Sequence, residues 1–417
     1  MAALRIALIP AAVLLVLCGT GWLLHGDNAT EGETSGGGAT VTVVDLAGRR
    51  VSLKQPVERI VLIRGRDIYP LALLLGKEIE EKLVAWGPDL ELYDGDTYRK
   101  FLEHHPPLAD VPKIGSVYHD AVSAEQVLTL RPDLVIVDTF MTDRGYKCIE
   151  QMDAAGLPLL FLSFSRNTFE DPQRSIEVLG RVLGKESRAR QISSFIDGEF
   201  EKVFSRLPDA DVSQPSIYVE AGYEGASKYG PTYGYGYDAQ GRMSSWGATL
   251  DRLGCRNIAG GVVPDRGPIH PEHLLTSDPD VIVITGACWQ SPADAMRLGY
   301  FTSAAEARDR LRAFALRPGW DGLTAIETGR VYGLYHNLSM QMTDFAGVQQ
   351  LAQWLYPGRF DDLDPQARLA EFHKRFMTVD YSGVLIIGLS ESRGGSVAGK
   401  GRAGAPPRDV SGVDSSH

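Results

Sequence analysis

The chain has 417 residues, with 44% hydrophobic and 23% charged residues, a composition typical of a soluble globular protein. This length is enough for two domains, each with a full hydrophobic core. A formal net charge of −11 without a basic stripe excludes a nucleic-acid-binding protein. Four cysteines without a Cys-x-x-Cys motif or zinc-type spacing exclude a disulfide scaffold and a structural zinc site.

The N-terminal segment predicts export. An uncharged apolar run, Ile6 to Leu24, has a length typical of either a secretory signal or a retained membrane anchor. Cys18 lies where a lipoprotein would be processed, but Leu17 stands where a small residue is expected. We interpret residues 1–26 as a signal peptide or membrane anchor and residues 27–40, rich in Gly, Ser, Thr and Glu, as a flexible tether. The body is therefore expected in the periplasm or otherwise outside the cytoplasmic membrane.

Residues 41–184 predict an N-terminal α/β lobe. The alternating segment 41–53 carries a turn at Ala47-Gly48 and predicts a hairpin at the entrance to the lobe. Buried strands are then predicted at 59–63, 82–86, 134–137 and 157–163. Because helices separate these strands, the pattern is typical of a parallel sheet covered by helices.

One unit of this lobe returns later in the chain. Residues 121–138 and 268–285 each contain a Glu, then a Pro-Asp pair and then an unbroken aliphatic run. Each Glu (Glu125, Glu272) lies near the positive end of a predicted short helix, which the proline ends. The aliphatic run predicts a strand that is apolar on both faces. The repeat favours two lobes of one plan; the alternative is a chance recurrence of helix and strand in an α/β protein.

A long helix is predicted at 185–207, between the lobes. Its apolar residues recur at helical spacing and are Ile192, Phe195, Ile196, Phe200, Val203 and Phe204. At 1.5 Å per residue it would span roughly 30 Å, enough to join two lobes along their backs. The alternative is one more packing helix of the first lobe.

Residues 208–389 predict a C-terminal α/β lobe. Its first strand, 216–220, is followed by a segment dense in Gly and Tyr at 222–238. Glycine lets the backbone approach a ligand closely, and tyrosine offers a broad surface with a polar tip. A further strand is predicted at 330–335, with helices at 341–355 and 364–376. Residues 390–417 lack apolar periodicity and predict a disordered tail.

Several stretches together resemble one protein family. They are VTVVDLAGRRVSL and VERIVLI, the two repeated units, GATLDRLGCRNIAGG (247–261) and WLYPGRFDDLDPQARLAEFHKRF (354–376). Over about residues 40–385 the chain resembles the class III substrate-binding proteins of bacterial ABC importers, which serve ferric siderophores, haem and cobalamin. The resemblance implies an α/β fold of two Rossmann-like lobes with mainly parallel sheets. One long α-helix would join them, with the ligand cleft between the lobes and only modest closure.

The resemblance also implies the partners. In that family an exposed acidic residue on each lobe docks onto arginines of the permease, and Glu125 and Glu272 match those positions. The alternative is that both are first-turn helix charges without a partner. We therefore expect an ABC permease in the cytoplasmic membrane and a small-molecule metal chelate as partners, a monomeric chain and no resident cofactor or metal.

Ligands of open α/β sheets bind beyond the carboxyl ends of the strands. Arginines at these ends suit carboxylate or catecholate oxygens, and aromatic residues suit a flat chelator or a porphyrin. The candidate ligand-binding residues are Arg64, Arg66, Tyr69, Trp86, Tyr118, Phe140, Met141, Arg144, Tyr223, Trp246, Trp289 and His336. Each has an alternative structural role in an ion pair or in the core. His336 is either an iron ligand or a hydrogen-bonded structural residue.

A binding protein is predicted rather than an enzyme. The sequence has no Gly-x-Ser-x-Gly elbow, His-Glu-x-x-His motif or phosphate-binding loop. The expected ligand is foremost a ferric siderophore, then haem, then cobalamin or a non-iron chelate. The alternatives are an anchored extracytoplasmic hydrolase and a signalling or adhesion protein. Cys255 and Cys288 lie in one predicted lobe, as a disulfide or as buried thiols, and Cys148 has no evident partner.

Overall fold

The computed structural model describes residues 39–143, 145–164, 169–209, 214–235 and 245–389. The predicted signal peptide or anchor, nearly all of the tether, the predicted tail, Arg144 and part of the Tyr-rich segment lie outside these ranges. Within them, no helix combines the length and the apolarity that a membrane crossing requires.

The first lobe is built on a parallel sheet of four strands in the order β4-β3-β5-β6. An antiparallel hairpin precedes it, as the alternating pattern predicts. The strands are β1 (Thr40–Val44), β2 (Arg50–Lys54), β3 (Ile60–Leu62), β4 (Leu83–Trp86), β5 (Leu134–Asp138) and β6 (Leu159–Leu162). All five residues of β5 are buried. Because β5 pairs with β3 and β6, its apolar side chains have to be covered on both faces of the sheet.

Helices supply that cover. In the first lobe they are α1 (Ile68–Leu75), α2 (Ile79–Lys82), α3 (Asp89–Tyr93), α4 (Gly95–His104), α5 (Ala124–Thr129), α6 (Phe140–Asp143), α7 (Lys147–Ala154) and α8 (Asp171–Val182), and the next helix is α9 (Glu186–Phe204). Leu62 and Ile136 belong to one apolar cluster, and their neighbours Val61 and Val135 belong to another. The sheet therefore separates two cores, as alternation along a strand requires.

The second lobe has a mixed sheet of seven strands. They are β7 (Ser216–Ala221), β8 (Thr232–Tyr233), β9 (Arg256–Asn257), β10 (Arg266–Gly267), β11 (Val281–Gly286), β12 (Val331–Tyr335) and β13 (Ile386–Gly388). Six follow the order β10-β8-β7-β11-β12-β13, and β9 pairs with β7. Strands β7, β11 and β12 are parallel, whereas β8, β10 and β13 pair antiparallel at the edges. The helices are α10 (Ser245–Arg252), α11 (Pro271–Ser277), α12 (Ala304–Ala315), α13 (Thr324–Glu327), α14 (Asp344–Leu355) and α15 (Pro365–Phe376).

Helix α9 packs against both lobes, on α8 of the first and on α14 of the second. Phe195 of α9 lies 5.7 Å from Phe345 and 5.6 Å from Phe372, measured between ring centroids. The buried Glu199 accepts hydrogen bonds from Gln349 Nε2 at 2.8 Å and from Arg368 Nε at 2.9 Å. One continuous apolar cluster includes residues of both lobes and of α9. Separating the lobes would expose this shared core, so the fold favours small movements.

The repeated unit takes the same local form in both lobes. Asp133 accepts the backbone N–H groups of Glu58 at 3.0 Å and Arg59 at 2.9 Å, immediately before β3. Asp280 accepts the backbone N–H of Ser216 at 2.7 Å, where β7 begins. In each lobe the Asp of the Pro-Asp pair thus ties the start of one strand to the start of its neighbour. This contact gives a physical reason for the repeated Pro-Asp in the sequence.

Candidate functional site

Arg64, which follows β3, is buried and paired within its own lobe. Its Nη2 donates to Asp67 Oδ1 at 2.9 Å, and its Nη1 lies 3.1 Å from Asp138 Oδ2. Burial raises the pKa of the Asp67 carboxyl, and the neighbouring guanidinium opposes this rise. Because two carboxylates neutralise Arg64, the geometry favours a structural role over ligand binding.

Arg66 lies two residues further and has a different environment. Its Nη1 lies 3.7 Å from the sulfur of Met340 in the second lobe, and its Nε is buried without a hydrogen-bond partner. None of the described carboxylates is within salt-bridge distance of this guanidinium. Arg66 therefore reaches from the first lobe to the second without a salt bridge to a described carboxylate, although its charge acts on the buried Asp94.

His336 follows β12 at the facing edge of the second lobe. Its Nδ1 lies 2.9 Å from Thr285 Oγ1, at the end of β11, and 3.3 Å from the hydroxyl of Tyr233. Burial lowers the pKa of His336 to about 3, and the positive charges of Arg266 and Arg66 act in the same direction. The imidazole is therefore neutral at physiological pH. Both partners of Nδ1 are hydroxyls, which are able to donate to it and leave the ring proton on Nε2.

Arg266 lies close to Tyr233, which contacts His336, and was not predicted from the sequence as a ligand-binding residue. It lies in β10, opposite Tyr233 of β8, with its Cζ 5.5 Å from the ring centroid of Tyr223 and 5.7 Å from that of Tyr233. It is exposed, and no carboxylate in the described ranges forms an ion pair with it. The charges of Arg66, from the first lobe, and of Arg266, from the second, both act on His336, and neither guanidinium forms a salt bridge with a described carboxylate.

Aromatic side chains border the same region on both lobes. On the second lobe, the ring of Trp289 lies 5.1 Å from His336 and 5.6 Å from Tyr223. On the first lobe, Tyr118 is 37% exposed and stacks on Phe140, with centroids 6.0 Å apart and planes inclined by 13°. The predicted residues that the structure brings to this region are Arg66, Tyr118, Phe140, Tyr223, Trp289 and His336.

Four other predicted residues lie in the core. Trp86, Met141 and Trp246 are at most 1% exposed. The hydroxyl of Tyr69 is 2.6 Å from Thr97 Oγ1 and also faces Asp94. Their burial favours structural roles, as does that of Arg64.

A polar contact that no sequence pattern indicated also joins the two lobes. The carboxylate of Asp94, 1% exposed, accepts a hydrogen bond of 2.7 Å from the hydroxyl of Tyr335, the last residue of β12. Helix α4, which follows Asp94, reaches the second lobe again through Lys100, whose Nζ lies 2.9 Å from Asp380 Oδ1. The first lobe is therefore fixed to the second by a buried hydrogen bond and a partly exposed ion pair as well as by α9.

The three cysteines that the structure describes, Cys148, Cys255 and Cys288, are free thiols. Cys255 is buried and its Sγ donates to the carbonyl of Leu250 at 3.3 Å. Burial raises the pKa of the Cys255 thiol to about 12. Of the two alternatives for Cys255 and Cys288, the structure has the thiols and not the disulfide.

Glu125 and Glu272 are exposed in the first turns of α5 and α11. The side chain of Glu272 is 86% exposed, and its Oε2 is 3.8 Å from His270 Nδ1. Both glutamates are accessible to a partner. Within the described ranges, no three His, Cys, Asp or Glu side chains are grouped as a metal site requires.

Comparison with known proteins assigns the family. Residues 75–338 match the sequence model of the periplasmic binding protein family. The chain belongs to this family. It is 24% identical, over 85% of its length and 97% of the relative, to an uncharacterized ABC transporter substrate-binding lipoprotein of Bacillus subtilis. It is 20% identical, over 81% of its length and 91% of the relative, to the molybdate-binding protein MolA of Haemophilus influenzae.

A solved structure supports the same assignment. The TroA-like periplasmic binding protein FepB of Veillonella parvula is 32% identical in sequence to this periplasmic binding protein. The two structures superpose with a TM-score of 0.78 over 84% of this chain and 100% of the FepB chain. The predicted family resemblance and the α/β fold class are thereby confirmed. The protein is a substrate-binding protein of an ABC transporter, acts outside the cytoplasm and belongs to a family of binding proteins rather than enzymes.

Proposed function

We propose that this periplasmic binding protein captures an anionic metal chelate, foremost a ferric siderophore, between its lobes and delivers it to an ABC permease. One observation carries the ligand class. Arg66 and Arg266, neither of them in a salt bridge with a described carboxylate, belong to opposite lobes, and the charges of both act on the neutral His336.

Two free guanidiniums suit a ligand with several anionic oxygens. A guanidinium donates two parallel hydrogen bonds to a carboxylate or a catecholate, and such charge-assisted bonds are strong. Neither arginine has to break a salt bridge with a described carboxylate before it binds a ligand. The free-energy cost of removing water from each guanidinium is therefore offset by its contacts with the ligand. The neutral His336 adds a donor or acceptor without adding charge. A ligand that contacts both arginines also bridges the lobes.

The aromatic side chains support a chelate with flat groups. The charge of Arg66 acts on Tyr118 of the first lobe, and Trp289 of the second lobe contacts Tyr223, whose ring lies 5.5 Å from Arg266. Aromatic ligands stack on such rings in offset or edge-to-face arrangements. A catecholate siderophore combines flat rings with anionic oxygens and uses both features.

Two other ligands have specific support. Haem is supported by His336, an iron-ligand residue type whose Nε2 has no hydrogen-bond partner among the described residues; coordination through Nε2 would require the ring proton to move to Nδ1, where Thr285 Oγ1 or the Tyr233 hydroxyl would accept it. A bare oxyanion is supported by the relative from Haemophilus influenzae, which is named a molybdate-binding protein. The same two arginines suit either an oxyanion or the carboxylates of haem.

A fluorescence titration of the full chain tests the proposal. A ferric catecholate chelate, ferric citrate, haem, cobalamin and molybdate are added separately while tryptophan emission is recorded. We expect one ferric chelate to quench emission at submicromolar concentration, with a smaller amplitude in Trp289→Phe because that ring borders the site. Quenching by molybdate alone, or by haem alone with a Soret shift that His336→Ala abolishes, would replace the ferric chelate by that ligand.

Delivery is proposed through Glu125 and Glu272. One exposed carboxylate on each lobe suits a dimeric permease that presents one cationic site per subunit. Glu125 and Glu272 lie in α5 and α11, which precede strands, whereas Arg66 and His336 follow strands. Glu125→Ala and Glu272→Ala should therefore abolish uptake without changing chelate affinity.

A further inference from the structure

Each of the repeated units exposes one leucine next to its glutamate. Leu128 of α5 is 48% exposed and Leu275 of α11 is 37% exposed. Each leucine comes three residues after its glutamate, Glu125 or Glu272. Residues three apart are neighbours on a helix surface. Both lobes therefore present a carboxylate and an apolar side chain side by side.

The two short helices expose their leucines for the same structural reason. The side chain that precedes each leucine, Val127 or Leu274, is fully buried and fixes which face of the short helix is turned inward. Each helix also begins with a side-chain cap, in which Ser123 accepts the N–H of Gln126 at 3.2 Å and His270 Nδ1 accepts the N–H of Glu272 at 3.3 Å. The outward position of the leucines is therefore set by the fold.

Leu275 is also left uncovered by its neighbour. The residue that lies against it is Gly319, whose φ of 81° favours glycine. A Cβ built on Gly319 would be 3.5 Å from Leu275 Cδ1. A residue with a longer side chain at 319 would cover part of this leucine, whereas glycine leaves it open.

A single exposed leucine on a soluble protein requires no explanation. Two exposed leucines at equivalent positions of a repeat, each beside a glutamate proposed to dock a permease, have a common explanation. Protein interfaces combine an apolar contact, which supplies affinity, with charges, which steer the encounter and fix the register. The matched pairs fit a partner that has the same arrangement twice.

We propose that Leu128 and Leu275, together with Glu125 and Glu272, form a two-part docking surface for the dimeric ABC permease. This inference rests on the proposed delivery role. The glutamates meet cationic side chains of the permease, and each leucine enters an apolar recess beside them. Since the lobes share one core, the two halves of the surface act as linked sites, and the loss of both leucines weakens docking more than the loss of either.

Photo-crosslinking in intact cells tests the contact without requiring a known ligand. Benzoylphenylalanine replaces Leu128, Leu275 or, as a control, Val44, which is 55% exposed in the hairpin. Adducts of the full chain are isolated from membranes and identified by mass spectrometry. We expect adducts with the membrane-spanning permease subunit from positions 128 and 275 and none from position 44. Equal yields from all three positions, or no permease adduct from 128 and 275, would overturn the proposal.

Substitutions then separate docking from ligand capture. We expect Leu128→Ser with Leu275→Ser to lower uptake of the ferric chelate by about tenfold, as loss of central apolar contacts does at other interfaces. Each single variant should have a smaller effect, and Val44→Ser none. Chelate affinity and melting temperature should stay at wild-type values, because the two leucines are exposed.

The outcomes distinguish this inference from the proposed function. If Glu125→Ala with Glu272→Ala abolishes uptake and the leucine variants do not reduce it, the leucines have no docking role and the delivery proposal stands. If permease adducts form at 128 and 275 and no ferric chelate binds, the docking surface stands and the ligand assignment fails.

Discussion

The two lobes manage charge differently at the carboxyl ends of their strands. On the first lobe, buried carboxylates of Asp67 and Asp138 neutralise Arg64. On the second lobe, the titratable group at the strand end is the neutral His336, with hydroxyls as partners and the unpaired Arg266 nearby. A position at a strand end therefore does not by itself make a charged residue available to a ligand, since Arg64 is already paired within its own lobe.

The contrast is sharpest within three residues. Arg64 and Arg66 follow the same strand, and both were predicted ligand-binding residues. The structure gives the first two internal carboxylates and the second a methionine sulfur on the opposite lobe. Substitution of Arg64 should therefore lower the stability of the fold, whereas substitution of Arg66 should weaken ligand binding.

The largest expected effect is on the stability of Arg64→Met. The substitution leaves two carboxylates buried without their cation, and breaking a buried pair in this way costs about 3–5 kcal/mol. The free energy of unfolding, measured by urea denaturation, should fall by this amount. Arg66→Met is the matched control and should change it by less than about 0.5 kcal/mol, because Arg66 has no ion pair to lose. A stable Arg64→Met variant with weakened chelate binding would assign Arg64 to the ligand site.

The next effect is on affinity. Arg66→Ala and Arg266→Ala should each raise the chelate Kd by about 10- to 100-fold, or roughly 1.4–2.8 kcal/mol, since each removes a charge-assisted contact. Lysine at either position should restore only part of the loss, because it lacks the planar fork. Kd is measured by tryptophan quenching, with Arg174→Ala, a 67% exposed arginine on α8, as the control. Unchanged affinity in both alanine variants would remove the two arginines from the site.

The fold could be predicted because it depends on local patterns. The strand predicted at 59–63 is observed as Ile60–Leu62, and the helix predicted at 185–207 is observed as Glu186–Phe204. Aliphatic runs and helical spacing record which faces are buried, and burial is what fixes these elements. The repeated unit was visible for the same reason.

The candidate site could be predicted only in part. Tyr223, Trp289 and His336 were found because each follows a strand of the parallel sheet. Arg266 was missed because it lies in a strand of two residues that exists only through its pairing with Tyr233 and Thr232. The sequence also did not indicate that Trp86 and Trp246 are buried. An aromatic residue near a strand end has the same sequence pattern whether it packs in the core or faces a ligand.

The free energy of unfolding should depend on pH through His336 of the second lobe. His336 has a pKa of about 3 in the folded protein and about 6.5 when unfolded. Below pH 6.5 the unfolded chain therefore binds a proton that the folded protein does not, and stability falls as the pH drops toward 3.

His336→Gln should remove this contribution. Because the imidazole is half-buried, we expect the wild type to lose about 1–2 kcal/mol more than His336→Gln between pH 7.5 and pH 5. Urea denaturation at the two pH values measures the difference. His373, whose pKa burial lowers to about 4, leaves a residual slope in both proteins. Equal slopes in the wild type and in His336→Gln would show that His336 titrates normally and is charged at the cleft.

The smallest expected effect concerns the cysteines of the second lobe. A reducing agent should leave the melting temperature unchanged, because Cys255 and Cys288 are free thiols. A disulfide would contribute about 2–4 kcal/mol, and its reduction would lower the melting temperature by several degrees. Thiol titration of the denatured, unreduced chain should find Cys148, Cys255 and Cys288 all reactive. The two thiols lie in different surroundings, Cys255 in the core against the carbonyl of Leu250 and Cys288 at the start of α4, where backbone N–H groups of Gly95 and Asp96 face its sulfur.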